Sequence, residues 1–367
     1  MKNVLFASTA LVAFAGAASA EVTLSGNAEM GIFNNDSIDN VGTTAVATTN
    51  GETSFFTDLD VTFTMSGETD GGLTFGASID LDESGNGQPF ESPGTQGGET
   101  IFLSGAFGTL TAGDTDGALD WALTEVAFNS GSLGDDETVH AGFNGNNGLD
   151  GLYDGQIVRY DYSFGDFGVA LSAELAEDAG NTGDDDVFGI GFKYQLDLGG
   201  SEIGLGLGYQ TAAVNNVDVD TWGLSVNGSF GGGFQAGLSY VSYDNQIPNA
   251  IADGAFTGAL DDTNLFGGPN TAQGGRIVTP GADVEHVGVG VGYSAGAISA
   301  SLNYGQYDLD NNGVFEGKID GYGLTVGYDL GGGAAVQFGY GRSDYSDLGL
   351  ANVDTVDTVS FGVRMNF

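Results

Sequence analysis

Apolar and polar residues alternate with a period of two along most of the chain. After Glu21, the residues Val22, Leu24, Ala28, Met30 and Ile32 share one parity, while Thr23, Ser25, Asn27 and Glu29 take the other. This pattern predicts a strand with one apolar and one polar face. The next strand sets Leu59, Val61, Phe63 and Met65 against Asp58, Asp60, Thr62 and Thr64, and a tight turn at Gly67–Gly72 leads back into Leu73, Phe75, Ala77, Ile79 and Leu81. The same alternation recurs at Trp222-Leu224-Val226, Val287-Val289-Val291-Tyr293 and Tyr322-Leu324-Val326-Tyr328, and again at Val359, Phe361, Val363, Met365 and Phe367.

The connections alternate too. Short turns are predicted at Gly67–Gly72, Phe107–Gly108, Gly165–Asp166, Asp197–Gly200, Gly231–Gly233, Ser294–Gly296 and Asp329–Gly333. Between them lie longer polar stretches at Asn34–Thr53, Ser84–Glu99, Gly113–Asp154, Asp178–Asp185, Ala212–Asp220, Asp244–Asp283, Asp308–Lys318 and Arg342–Asp354. Seven short and eight long connections join sixteen strands, an even number that suits an antiparallel transmembrane β-barrel. A soluble sandwich would bury its apolar face against a second sheet. Here aromatic residues sit at or near strand ends, as they do at a membrane interface. The start of the chain agrees: Lys2, the apolar run Val4–Ala15 and the small residues up to Ala20 read as a secretory signal. Cleavage is expected between Ala20 and Glu21, leaving residues 21–367 as the barrel domain and placing it in the outer membrane of a Gram-negative cell.

Gly113–Asp154 differs from the other connections. It carries no alternation, yet Leu119, Trp121, Leu123, Val126 and Phe128 give it apolar anchors. So long a structureless connection is expected to have a function, and its apolar content argues for packing. The expectation is a constriction loop folded back into the lumen.

Charge narrows the function. The chain has 50 acidic residues against 7 Lys and Arg, a formal net charge of −43. This excludes nucleic acid as a partner, because the surface repels phosphate. Cysteine is absent, so no disulfide framework or thiol chemistry follows. Candidate pore-lining residues are Asp58 and Asp60 by parity, and Asp114, Asp116, Asp120 and Glu125 on the loop; the bland alternative is that the loop acids only solvate it. Arg159, Lys193 and Arg364 are inward by parity, and Arg159 has Asp161 on its own face. Trp121 is read as a packing anchor. A lumen rimmed by carboxylates favours cations, and small hydrophilic solutes pass by size. The acidic runs Asp135-Asp136-Glu137, Asp184-Asp185-Asp186 and Asp261-Asp262 are calcium candidates without EF-hand spacing, set against simple solvation. His140 and His286 lie far apart in the chain and give no zinc-site spacing. No Gly-x-Ser-x-Gly elbow supports an enzyme. The alternative to a channel is a structural or adhesive surface β protein.

Five stretches resemble the sixteen-stranded general diffusion porins of Rhodobacter-type alphaproteobacteria. They are Glu21–Gly26, Val61–Gly67 with Gly72–Ser78, Phe102–Gly108 with Ala112–Asp114, Val158–Tyr162 and the terminal Phe367. The resemblance implies a homotrimer in outer-membrane lipid, an inward third loop whose acidic groups face a basic wall, and in some members bound calcium; no cofactor is required. This chain departs at Thr57-Asp58-Leu59-Asp60, where similar members carry arginines.

Overall fold

The computed structural model describes residues 21–40, 46–49, 51–82, 97–128, 131–133, 140–143, 145–176, 183–248, 271–273, 276–311, 315–348 and 354–367. The proposed signal, Asp135-Asp136-Glu137 and Asp261-Asp262 lie outside the described residues. Seventeen strands hydrogen-bond in one sheet, and setting aside the three-residue strand Thr271–Gln273 leaves sixteen. The first eight are β1 (Glu21–Asn35), β2 (Ser54–Glu68), β3 (Thr74–Asp82), β4 (Gly97–Gly105), β5 (Gly108–Asp114), β6 (Gln156–Phe164), β7 (Phe167–Glu174) and β8 (Asp185–Asp197). The second eight are β9 (Glu202–Val214), β10 (Val217–Phe230), β11 (Phe234–Ile247), β12 (Arg276–Ala295), β13 (Ile298–Asn311), β14 (Phe315–Gly331), β15 (Ala334–Asp344) and β16 (Thr355–Asn366). Each pairs antiparallel with its neighbours, and β1 pairs with both β2 and β16, so the sheet closes into a barrel with no free edge.

Burial identifies the two faces. Along β12 to β14 the apolar parity is exposed, with Val291 and Leu302 both 51% accessible, while the polar parity is covered, with Asn303 at 2% and Thr325 at 0%. A soluble protein would reverse this. Exposed apolar side chains on neighbouring strands form an outer band, in which Val336 and Phe338 of β15 are half-buried, and lipid can cover it. No helix among the described residues is long and apolar enough to cross a membrane.

The strands outrun the sequence expectation at the long-connection end. Ala212–Asp220 is not a long polar loop: β9 and β10 continue through it and join at Asn215-Asn216, whose φ angles of 51° and 63° make a tight turn. Likewise β11 runs to Ile247, β12 begins at Arg276, β13 runs to Asn311 and β14 begins at Phe315. Asn34–Thr53 contains a hairpin, Ser37–Asn40 paired with Val46–Thr49.

The reason is a reversal of parity. Beyond Tyr209, Trp222 and Tyr240 the outward positions become Asp218, Asp220, Asp244, Asp283, Glu285, Asp308 and Asp310, while the inward ones become Val214, Val219, Tyr243, Val284, Tyr307 and Leu309. The outer surface there meets water, and the inner surface meets packed apolar groups. One tyrosine boundary is tied to the acids beyond it, since Tyr209 Oη donates to Asp220 at 2.6 Å and Tyr240 Oη to Glu285 at 2.8 Å.

Candidate functional site

After Asp114 the chain loses the ladder that would satisfy its backbone. Short polar side chains of inward parity take up the N–H groups instead. Ala118 N donates to Ser172 Oγ of β7 (2.9 Å), Thr124 N to Ser225 Oγ of β10 (3.0 Å) and Phe128 N to Ser301 Oγ of β13 (3.1 Å). Leu133 N donates to Ser360 Oγ of β16 (3.3 Å) and Ala141 N to Ser343 Oγ of β15 (2.7 Å). The returning part is held by carboxylate and amide groups. Gln210 of β9 accepts from Leu149 N, and Glu174 of β7 accepts from Leu152 N, Tyr153 N and Gly155 N.

Within this segment lies a short helix, α1 (Ala118–Ala122), with Ala118, Leu119 and Ala122 buried. Leu149 and Leu152 join Val187, Ala212, Val214, Val219 and Val278 in an apolar cluster. This is where the reversed parity of the strands is used. The apolar anchors foreseen in the sequence therefore pack, and Leu119, Leu123 and Val126 are buried with them.

The approach of segment to wall is close because the wall residues beneath it are glycines. A methyl group added at Gly191, Gly206 or Gly290 would strike the carbonyl oxygen of Ala118, Ala122 or Val126. One at Gly305 would strike the Gly142 backbone, one at Gly339 the side chain of Ser132, and ones at Gly31 and Gly362 the side chain of Leu133. Glycine is required here for space, since none of these has a positive φ.

The cationic side chains are mostly committed. Arg159 Nη1 donates to the Asp116 carbonyl (2.6 Å) and Thr115 Oγ1 (3.3 Å), with Asp161 at 3.5 Å from Nε. Arg159 thus pairs with Asp161 and clamps the start of the segment. Arg364 lies 3.5 Å from Glu29, directly across the ladder, and Asp58 is opposite Glu29 on the other side. Lys193 Nζ sits 4.3 Å above the Trp121 ring. Asp58 is buried and Asp60 half-buried at inward parity, and Asp114 is exposed at the end of β5.

Two cavities flank the segment. One, of about 710 Å³, is lined by Asp116, Asp120, Glu125, Lys193, Gln195 and Glu202 among others. The second, of about 580 Å³, includes Gln337 and Arg364. Glu125 and Phe128 line both and so stand between them. Burial, then the charges of Asp116, Asp150 and Glu125, push the Asp120 carboxyl up to about 8, against a hydrogen bond donated by Asn146 that lowers it. Burial and then Asp116 raise Glu125 as well. Of the calcium candidates, Asp184 accepts from Asn215 N and Asp186 from Ala176 N, and alternation along β8 sends consecutive side chains to opposite faces. No group of three metal-ligating residues converges among the described residues.

Sequence reasoning missed the wall partners, namely the serines, Gln210, Glu174 and the glycines. It also missed that His140 and His286 come to one place. Their signal was present as small residues at inward parity on many strands.

A Gram-negative porin family model matches residues 7–348. A porin from Rhodobacter capsulatus is 29% identical over 357 residues, spanning 95% of this chain and all of that one. Among solved structures, a porin refined at 1.8 Å superposes with a TM-score of 0.62 at 24% identity, covering 95% of this chain and 100% of that one. An anion-selective porin from Comamonas acidovorans has a TM-score of 0.55 at 15% identity, with 95% and 100% covered.

Proposed function

Given that the chain belongs to the Gram-negative porin family, we propose that it is a cation-preferring diffusion channel whose bore is narrowed by Gly113–Asp154. Membership makes it a non-enzymatic, channel-forming protein of the outer membrane and supports oligomeric pores; the homotrimer, and export directed by residues 1–20, belong to this proposal. The preference for cations rests on one observation. Around the larger cavity stand Asp116, Glu125 and Glu202, joined by Asp120 once it deprotonates, with Lys193 as the single basic side chain among the described residues of its lining. Low-dielectric walls focus the field of such groups along the path of a solute. The likeness to an anion-selective porin at low identity speaks for the fold alone, so selectivity is argued from the lining side chains.

Reversal potential across a planar bilayer under a potassium chloride gradient tests this. A cation-selective potential that shrinks as total salt rises is expected, because added ions screen the carboxylates. An anion-selective potential would sink the reading.

A pH dependence follows from Asp120. Its carboxyl is neutral below about 8 and charged above it, so deprotonation adds a negative charge to the lining. Cation preference should therefore rise between about pH 6.5 and about pH 9.5, and Asp120→Asn should flatten that rise. An unchanged profile in Asp120→Asn would assign the titration elsewhere.

A further inference from the structure

His140 and His286 meet where the returning half of the segment crosses β12 to β14. His286 Nε2 lies 2.7 Å from the Gly142 carbonyl oxygen, so it holds the proton of a neutral ring. Its Nδ1 is buried with no hydrogen-bond partner, and Gly145 packs against that edge of the ring. His140 Nε2 is 2.5 Å from Asn303 Oδ1, and its Nδ1 is 2.7 Å from the Ala141 carbonyl oxygen. Asn303 Nδ2 is without a partner. Exchanging the oxygen and nitrogen of that amide lets it donate to a neutral His140, whose Nδ1–H then donates to Ala141.

Among the described residues, the groups that face or adjoin the two rings are uncharged. They are Tyr243 of β11, Asn303 and Tyr307 of β13, Gly321 of β14, Ser343 of β15, and Phe143 of the segment itself. On these strands Asp244, Glu285, Asp308, Asp320 and Asp344 have outward parity and face away. Among the described residues each ring is thus the other's charged neighbour once protonated, and the two charges repel.

We propose that the histidine pair is an acid-operated latch: protonation detaches the stretch around Ala141 and Gly142 from β12–β14 and makes the pore close intermittently. A proton on His286 Nδ1 places a buried donor where no acceptor stands among the described residues, and the cost is relieved when Gly145, and with it the stretch that carries Gly142, moves away from that edge of the ring. Burial holds the His140 pKa below the ordinary histidine value. The latched state is therefore at full strength above that value and weakens as pH falls below it.

Hydrogen exchange on the detergent-solubilised protein, corrected for intrinsic rates, tests the latch without reference to transport. Between about neutral pH and about pH 5, protection at Ala141 and Gly142 is expected to fall by up to about tenfold per pH unit for each histidine that charges. Protection at Thr124 and Phe128, held by serine hydroxyls that do not titrate, should stay constant. His140→Gln with His286→Gln should remove the pH dependence. In bilayers, acid-induced closures should appear in the wild type and vanish in that double variant; this arm rests on the channel reading. Constant protection at Ala141 and Gly142 in the wild type overturns the latch, whether or not the double variant folds. Absence of channels at neutral pH would overturn the channel reading instead.

Discussion

Gly290→Val is expected to lower single-channel conductance while costing about 1–3 kcal/mol of packing between segment and wall. The added side chain meets the Val126 carbonyl oxygen, and the atoms beneath it belong to the hydrogen-bonded ladders of β11, β12 and β13. The sheet is the stiffer partner, so the segment yields. Val126 is flanked by Glu125, and Phe128 follows; both stand between the two cavities, so moving them inward narrows the passage. Gly71→Ala is the matching control, because its added methyl group meets nothing closer than Thr69 Oγ1 at 3.9 Å. Conductance in planar bilayers reads both variants. Wild-type conductance in Gly290→Val would mean that Val126 does not rest on this wall in the functioning protein.

The second large effect concerns charge. Asp116→Asn with Glu125→Gln should weaken cation preference, and Lys193→Gln should strengthen it. A unit charge about 6 Å from a passing ion in a water-like dielectric changes its energy by about 0.7 kcal/mol, or about threefold in relative permeability. The two acid substitutions together should approach an order of magnitude in dilute salt, with Glu125 contributing less where its raised pKa keeps part of it neutral. Lys193→Gln also removes the cation–π contact with Trp121, so its conductance should be measured beside its selectivity. If selectivity followed neither change, the current would run past other residues than those around the larger cavity.

The barrel was legible because alternation persists wherever a strand separates lipid from the lumen side. The sequence reading stopped strands such as β9, β10 and β13 early for a physical reason. Above Tyr209 and Trp222 the outer solvent changes from lipid to water, so Asp218 and Asp220 face out and Val219 faces in. A pattern with fixed parity ends there although the hydrogen bonds continue. The segment after Asp114 was found by its loss of alternation, and its apolar anchors pack as the sequence suggested. Which wall residues receive it was not legible, because Ser172, Ser225 and Gly290 look like ordinary lumen residues until the chain is folded onto them. His140 and His286 illustrate the same limit, since their proximity depends on how the segment crosses β12 to β14.

The closed ring also sets the order in which the chain can assemble. Most ladders join consecutive strands through short turns or loops, but β1 meets β16 with Asn27 opposite Asn366 and Asn35 opposite Thr358. Bringing such distant residues together carries the largest loop-closure entropy in the molecule. The earlier hairpins can zip locally, whereas this seam has nothing to hold until both of its edges exist. Closure is therefore the late, slow event of folding. Until it happens β1 and β16 offer unpaired edges to any strand nearby, which makes the unclosed barrel the species most exposed to aggregation.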